Sequence, residues 1–589
     1  MKKLYLFFIF IIFNFLGFVS WSVIKIEPSI FTDIFKFYLF IFISTIPLCY
    51  LLVKKRKLYS LNNILKHKNN EIIKNNFDIN CYFIIIFFIV FINFLTFDPN
   101  NFFLDVYHDG FTLTPSINFL LTKSFWTSTY IESGLYPNFK SLIFFILLNK
   151  VTIGSTYFLT YLIIFLNKAL LLILSLLIVK ELEFENKTKI IFFIFLSTFA
   201  IGLSTFYDTT YFSERHFLFL LFINLLFINF FSKKKLWFHI NSFFLALISI
   251  FSIFWWFDIF LFINLILLLY LFILYKLQYF FKIKIILINI FYSITILFLI
   301  FPKNEFNYFL NNLYSILFEF NESTFLQYPV PLEFSDGRAI KTLLFFSYSI
   351  YLFFFIFFKK KSFISYKLKS FFLIMLTSSI VNYTFALGRS DSYHIINASG
   401  MLVFNLILLH LLILFNINKL KNFINYKKNF IFINFFLIIF FFFSEINFKQ
   451  IKNVNKFKSN IKNFILADDS YFFRGKNFDY IHLITYYNNI IDDNDCVQIF
   501  TDETIIPYIL KRKTCSKYFF YHILSEDRLQ LNLISDLEKK LPKYILYDSD
   551  IFNYFNFSKE LTLLQNFIFS KYVFDKKFLH WTFYKLKNY

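Results

Sequence analysis

Glycine and proline are scarce in this chain. Its 589 residues include 9 Gly and 10 Pro, so it lacks the helix breaks with which secondary transporters build binding sites near the membrane midplane. No internal repeat of about 20–50 residues is evident, which further disfavours transport and leaves it as the rival reading from another functional class. Cysteine is rare too: of 4 residues, none forms a CxxC pair, which argues against a zinc site. Cys49 and Cys81 lie in apolar runs as packing residues. Cys496 and Cys515 lie in a polar C-terminal part and would pair as a disulfide if that part faces an oxidising compartment. Neither GxxxxGK[ST] nor GxGxxG occurs there, so it offers no nucleotide cradle. The net charge of +22 comes without a recognisable nucleic-acid-binding module, and nucleic acid is set aside as a partner.

Apolar side chains, by contrast, dominate. A composition of 58% hydrophobic residues, with 24% aromatic, is too apolar for a soluble domain. A bilayer-spanning helix needs about 20 mostly apolar residues. About thirteen runs approach this, near 4–24, 33–53, 81–97, 157–179, 189–206, 215–232, 237–256, 257–275, 284–302, 341–358, 370–388, 399–416 and 429–446. The opening "MKKLYLFFIFIIFNFLGFVS" has the basic start and apolar core of a signal peptide but no A-x-A cleavage site, so it reads as an uncleaved span. Lysine and arginine concentrate in alternate connectors, at 54–57, 180–189, 233–235, 276–284, 359–361 and 419–428. With the N-terminus cytoplasmic, these connectors face inward, as basic loops do.

The same parity places residues 447–589 outside, in a periplasm. Within them "CVQIFTD", "KYFFYH" and "KYILYDS" read as short β runs between the helical "ETIIPYILKR" and "EDRLQLNLISDLEKKL". The predicted fold class is therefore an α-helical polytopic membrane protein of about 13 transmembrane helices with a C-terminal extracytoplasmic small α/β domain. Its parts are 1–446, in the cell inner (cytoplasmic) membrane, and 447–589. Two outer loops are long: 98–156, in which "SLIFFILLNKV" suits a re-entrant or surface-lying helix, and 303–340, a candidate lid by length and position.

Unusual polar residues gather on this outer side: Asp105, His108 and Asp109; Glu214 and Arg215; Asp258 after "FWWF"; "SDGR" at 335–338; and "GRSDSYH" at 388–394. If 104–109 begins a helix, Asp105 and Asp109 share a face with His108 nearby, and Gly110 permits a sharp turn. Two such carboxylates can divide work, one acting as base while the other orients it. Asp oxygens and a His nitrogen can also hold a divalent cation, although these residues make an incomplete shell. The plain alternative is a helix cap and turn.

The order of these features resembles the polytopic GT-C superfamily of glycosyltransferases, among them mannosyl- and arabinosyltransferases. The resemblance lies in "DVYHDG" followed by "LTPSINFLL", in "ESGLYPNFKSLIFFIL" before a half-length apolar segment, in "GRSDSYHI", and in a soluble domain after the last span. It covers the architecture of nearly the whole chain, with residue-level similarity confined to these motifs. Where some members carry Asp-x-Asp, the acids here are separated by Val-Tyr-His.

The resemblance implies an enzyme, a hexosyl- or pentosyltransferase, that moves a sugar from a polyprenyl-phosphate donor to a lipid, glycan or protein acceptor on the outer face of the membrane. A polymerase or ligase of lipid-linked oligosaccharides is the related alternative. It implies that Asp105 or Asp109 is the general base, with Asp109 preferred because the adjoining glycine would make room for a bulky acceptor. It further implies that Arg389 and Arg215 grip the donor phosphate, with His394 assisting, Asp391 orienting Arg389, and His108 in the substrate site.

Overall fold

The computed structural model describes residues 30–56, 78–205, 210–301, 303–318, 337–358, 364–388, 392–417, 427–445, 451–492, 495–520, 524, 527–548 and 561–587, with a few positions before residue 30. Twelve of the predicted apolar runs fall on helices among these residues, from Ile30–Arg56 to Lys427–Glu445. The first run, 4–24, lies mostly outside the described residues. Among the described residues, six helices are long and apolar enough to cross a membrane: Ile153–Lys180, Glu214–Phe231, Lys235–Phe254, Phe257–Lys276, Phe280–Ile300 and Tyr366–Leu387. Others, such as Ile79–Leu95 and Gly400–Leu414, are apolar but shorter.

These helices are apolar nearly all round, so polar side chains mark where one meets another. Asn224 donates to the Leu170 carbonyl at 3.2 Å, Asn405 to Ser379 at 2.6 Å, and Tyr270 to Asn229 at 2.7 Å. Lys168, within Ile153–Lys180, pairs with Glu445 at 2.8 Å, both nearly buried. A buried ion pair broken on one side leaves an uncompensated charge. Glu445→Ala should therefore lower thermal stability well beyond the effect of Lys168→Met with Glu445→Leu, a comparison that melting curves in detergent make directly.

The connectors separate into two groups at opposite ends of the bundle. At one end the first long loop meets the Glu214 turn and "FWWF": Phe257 N–H donates to Ser133 O at 2.9 Å, and Trp255 Nε1 to Arg215 O at 3.0 Å. At the other end lie the lysine-rich connectors, with Lys282 donating to Asn229 O at 3.0 Å and Lys367 5.3 Å from the Phe231 ring.

Among the described residues the C-terminal part builds a four-stranded sheet from β1 (Gln498–Phe500), β2 (Tyr544–Tyr547), β3 (Tyr572–Phe578) and β4 (Trp581–Leu586), in the order β1-β2-β4-β3. Strands β1 and β2 are parallel and buried at every residue, as parallel strands covered on both faces are. Strands β3 and β4 form an antiparallel hairpin. The edge strand β3 exposes Lys576 and Lys577, charges that discourage further strand pairing.

The described part of "KYFFYH", residues 517–520, is not the predicted strand. These residues are irregular, and Tyr518, Phe519 and Phe520 are buried in a core shared with Tyr130. Tyr130 N–H donates to Lys517 O at 3.0 Å, and Phe520 meets Phe111 edge to face at 4.5 Å, so packing against the first long loop overrides β propensity. Cys496 and Cys515 are disulfide-bonded, 19 residues apart in sequence. Closing a loop of that length stabilises by about 3 kcal/mol. Replacing both cysteines with serine should lower the melting temperature and loosen 497–514 in hydrogen exchange.

The first long loop and the C-terminal part share one core. Phe97, Leu104, Leu113 and Ile153 pack with Phe464, Phe472, Ile505 and Tyr508. "SLIFFILLNKV" forms short turns rather than a span, with Ile146 87% and Leu147 77% exposed, as suits a segment lying on a membrane surface. The 303–340 loop begins as the helix Lys303–Phe318, whose Asn312 bonds both backbone groups of Ile131. Its remainder up to 336 lies outside the described residues.

Candidate active site

Residues 106–109 form a turn and the helix begins at Gly110, not at 104. The reason is Asp105, whose side chain competes for local backbone donors as aspartates before turns do. Its Oδ1 accepts from Tyr107 N–H at 3.1 Å and His108 N–H at 3.0 Å, and its Oδ2 lies 2.6 Å from His108 Nδ1. Both oxygens are therefore occupied. Burial alone would raise the Asp105 carboxyl, but the hydrogen bonds and charge of His108 outweigh it and hold it below the ordinary carboxylate range.

Asp109 is arranged differently. Its Oδ2 accepts from Asp105 N–H at 2.8 Å and lies against the Tyr157 hydroxyl, whose one proton it shares with Phe103 O at 2.7 Å, while its Oδ1 accepts no hydrogen bond among the described residues. Burial pushes this carboxyl up to about 7, opposed by the Tyr157 hydrogen bond and the Asp105 N–H, and aided by the Asp105 charge. The turn thus separates the two acids: one ionised and structural, one poised to exchange a proton near neutrality.

Gly110 does not make room for a ligand, as its position beside Asp109 had suggested. A Cβ there would collide with Thr504 Oγ1 and the Ile505 nitrogen. The glycine is needed because the 501–505 loop presses on the helix start: Thr504 Oγ1 donates to Tyr107 O at 2.5 Å, and Ile505 N–H to Val106 O at 3.2 Å.

The helix Ile153–Lys180 carries the site inward. Tyr157 holds Asp109, and Thr160, three residues on and so on the same face, donates to Glu214 Oε2 at 2.8 Å. Glu214 Oε1 pairs with Lys140 at 2.6 Å in a largely buried salt bridge, and Tyr136 donates to Oε2 at 3.3 Å. Lys140 also acts on Asp109 through its charge. The backbone that delivers Tyr136 and Lys140 turns at Gly134, where φ is 143° and a Cβ would sit 2.5 Å from Trp255 O; the Tyr136 ring stacks on Trp255 at 3.7 Å.

Arg215 follows Glu214 and is not a snorkelling surface residue, being 17% exposed and paired through Nη2 with Asp258. Its guanidinium lies 3.5 Å from the Phe385 ring centroid, and Phe385 in turn packs on His394 at 5.1 Å. The structure therefore brings Glu214, Arg215, Asp258 and His394 together, with Asp105, His108 and Asp109 in the adjoining turn. Arg389 and Asp391 lie outside the described residues.

Sequence reasoning missed Tyr157, Thr160, Tyr136 and Lys140. The first two sit inside an apolar run, where tyrosine and threonine carry no signal until a carboxylate is seen beside them. Among the described residues no three His, Cys, Asp or Glu side chains converge as a metal site, and Asp105 and His108 spend contacting atoms on each other.

The described chain is a multi-pass membrane protein with a carboxylate-centred site between its first long loop, its bundle and its C-terminal sheet. Among solved structures it is similar to the crystal structure of ArnT from Cupriavidus metallidurans bound to undecaprenyl phosphate, with a TM-score of 0.43 and 8% identity over 86% of this chain and 98% of that one. No family model matches the sequence, and no curated protein matches it. The functional reading therefore rests on this chain's own residues.

Proposed function

We propose that the chain is a membrane glycosyltransferase of the GT-C type that moves a sugar from a polyprenyl-phosphate donor to an acceptor hydroxyl. The observation that carries this reading is the geometry of Asp109: one carboxyl oxygen is held by the Asp105 N–H and the Tyr157 hydroxyl, the other accepts no hydrogen bond among the described residues, and burial raises the carboxyl toward neutral pH. Asp109 Oδ1 takes the proton of the acceptor hydroxyl as its oxygen bonds to the anomeric carbon. The bond from that carbon to the phosphate oxygen breaks, and polyprenyl phosphate leaves with the electron pair. An ionised phosphate needs no strong acid, but it does need positive charge and donors.

Arg215 fits that task, because it lies beside the carboxylate site, is paired with Asp258 through Nη2, and a guanidinium has five N–H donors in a fork that suits a phosphate. Lys140 adds charge on the side of Asp109. To Arg389 and Asp391, which the "GRSDSYH" resemblance assigns to phosphate binding, we give the rest of the grip, with His394 assisting across Phe385. Asp105 fixes the turn and Asp109 through its backbone N–H, and it holds the exposed His108 ring toward the acceptor.

The lysine-rich end of the bundle supports a cytoplasmic placement for that end, and the disulfide supports an oxidising compartment for the other. The enzyme then works on the outer face of the inner membrane. A divalent cation remains a candidate cofactor, to be read from the effect of chelator on turnover.

Arg215→Ala should raise KM for the lipid donor at least about tenfold, since hydrogen bonds to a charged partner contribute roughly 1.5–3 kcal/mol; because it also leaves the largely buried Asp258 unpaired, the comparison is made with Arg215→Ala combined with Asp258→Asn, whose melting temperature should lie closer to wild type while the KM effect remains. The reading is tested by reconstituting the protein with lipid extract bearing polyprenyl-phosphate sugars and following polyprenyl phosphate released. Release that depends on Asp109 is expected. No release by folded protein, or release unchanged in Asp109→Asn, would overturn it.

A further inference from the structure

At the end of the bundle away from the carboxylate site, a cavity of about 270 Å³ opens between the ends of three helices. Its walls are apolar, including Phe227 and Phe231, and its rim carries Lys180, Lys233, Lys234 and Trp237. All three lysines are exposed, and none makes a salt bridge among the described residues. One acid, Glu181, lines the cavity, and it faces the charges of Lys367, Lys233 and Lys189, so the rim stays positive. Trp237 is 56% exposed, at the kind of position where tryptophan sits among lipid headgroups.

The location is fixed by the fold. Lys180 lies on the same helix as Tyr157, about 35 Å along it at a rise of roughly 1.5 Å per residue, which is about the thickness of a bilayer. The cavity therefore lies at the opposite membrane interface from Asp109.

We propose that this cavity is a binding site for an anionic phospholipid: the phosphate headgroup is held by Lys180, Lys233 and Lys234, and an acyl chain runs along Phe227 and Phe231. Charge complementarity selects the occupant, because lysines that make no salt bridge among the described residues, set above an apolar wall, match an anionic head joined to a hydrocarbon chain and match neither a neutral lipid nor a soluble anion. The site is separate from the one that would take the sugar donor, and the inference does not depend on the transferase reading.

The test is native mass spectrometry of the full chain released from detergent after equilibration with equal phosphatidylglycerol and phosphatidylcholine, with melting temperatures as a check on folding. Wild type should retain phosphatidylglycerol in preference. The double variant Lys233→Gln with Lys234→Gln should lose about tenfold in that retention, while Lys276→Gln, a lysine on another helix at the same end, should change it little. Inorganic phosphate should not displace the lipid. Equal retention of the two lipids, an unaffected double variant, the same loss from Lys276→Gln, or displacement by phosphate would each overturn the proposal.

Discussion

Asp109→Asn should reduce sugar transfer by about 10²–10⁴-fold, the usual contribution of a general base, while the protein folds and inserts normally. The substitution keeps an oxygen for the Tyr157 hydroxyl and the Asp105 N–H and removes only the group that takes the proton. Two pH measurements separate this from a structural effect. In the wild type, kcat/KM should rise with pH through about 7, the Asp109 value, and level off above it. In stability the sign is the reverse. The folded state raises this carboxyl above its unfolded value, so it binds more protons than the unfolded chain across the interval between them. That contribution to stability is present at the acid end and is lost as pH rises to about 7. The neutral Asn variant lacks this loss, so its melting temperature should equal or exceed that of wild type at pH 8. An Asp109→Asn protein that is inactive and also strongly destabilised at pH 8 would point to a structural role instead.

Gly110→Ala should be nearly as damaging by another route. The new methyl would meet Thr504 Oγ1 together with the backbone of Thr504 and Ile505, and backbone cannot swing aside as a flexible side chain does. Overpacking of this kind costs about 1–3 kcal/mol. Here it would also part the contacts that hold the turn, namely Thr504 Oγ1 to Tyr107 O, Ile505 N–H to Val106 O, and Thr114 Oγ1 to Thr504 O at 2.7 Å. Hydrogen exchange should quicken at 501–506 and 106–113 together, and transfer should fall although no reacting group has changed. Thr504→Ala in the Gly110→Ala background should recover part of both losses, because it removes one of the clashing atoms. Unchanged exchange in Gly110→Ala would mean that the two segments are not rigidly joined.

The bundle was legible because a membrane helix announces itself by composition: each apolar run from 33–53 to 429–446 has a helix on it. The sheet was half legible. "CVQIF" and "KYILY" carry enough β-branched and aromatic residues to become β1 and β2, whereas "KYFFYH" has the same local character but is claimed by the loop at 111–130. That outcome depends on residues some 400 positions away and leaves no local trace. The acids of "DVYHDG" stood out by type, yet what distinguishes them is which backbone donors each meets, and this follows from the turn rather than the spacing. The space beside Gly110 is filled by Thr504 and Ile505, so the proposal for Asp109 rests instead on its Oδ1, which accepts no hydrogen bond among the described residues, and on its buried setting. Lys140 was invisible because a single lysine near an apolar segment reads as a surface anchor until Glu214 is placed 2.6 Å from it.

The most direct measurement is of lipid retention. Purified wild type, Arg215→Ala, Arg389→Ala and Asp109→Asn would be equilibrated in detergent with polyprenyl phosphate and compared by native mass spectrometry and thermal shift. The account predicts that wild type and Asp109→Asn retain the lipid and gain stability from it, and that both arginine variants lose most of that binding. Folded wild-type protein that neither retains polyprenyl phosphate nor is stabilised by it would contradict the account.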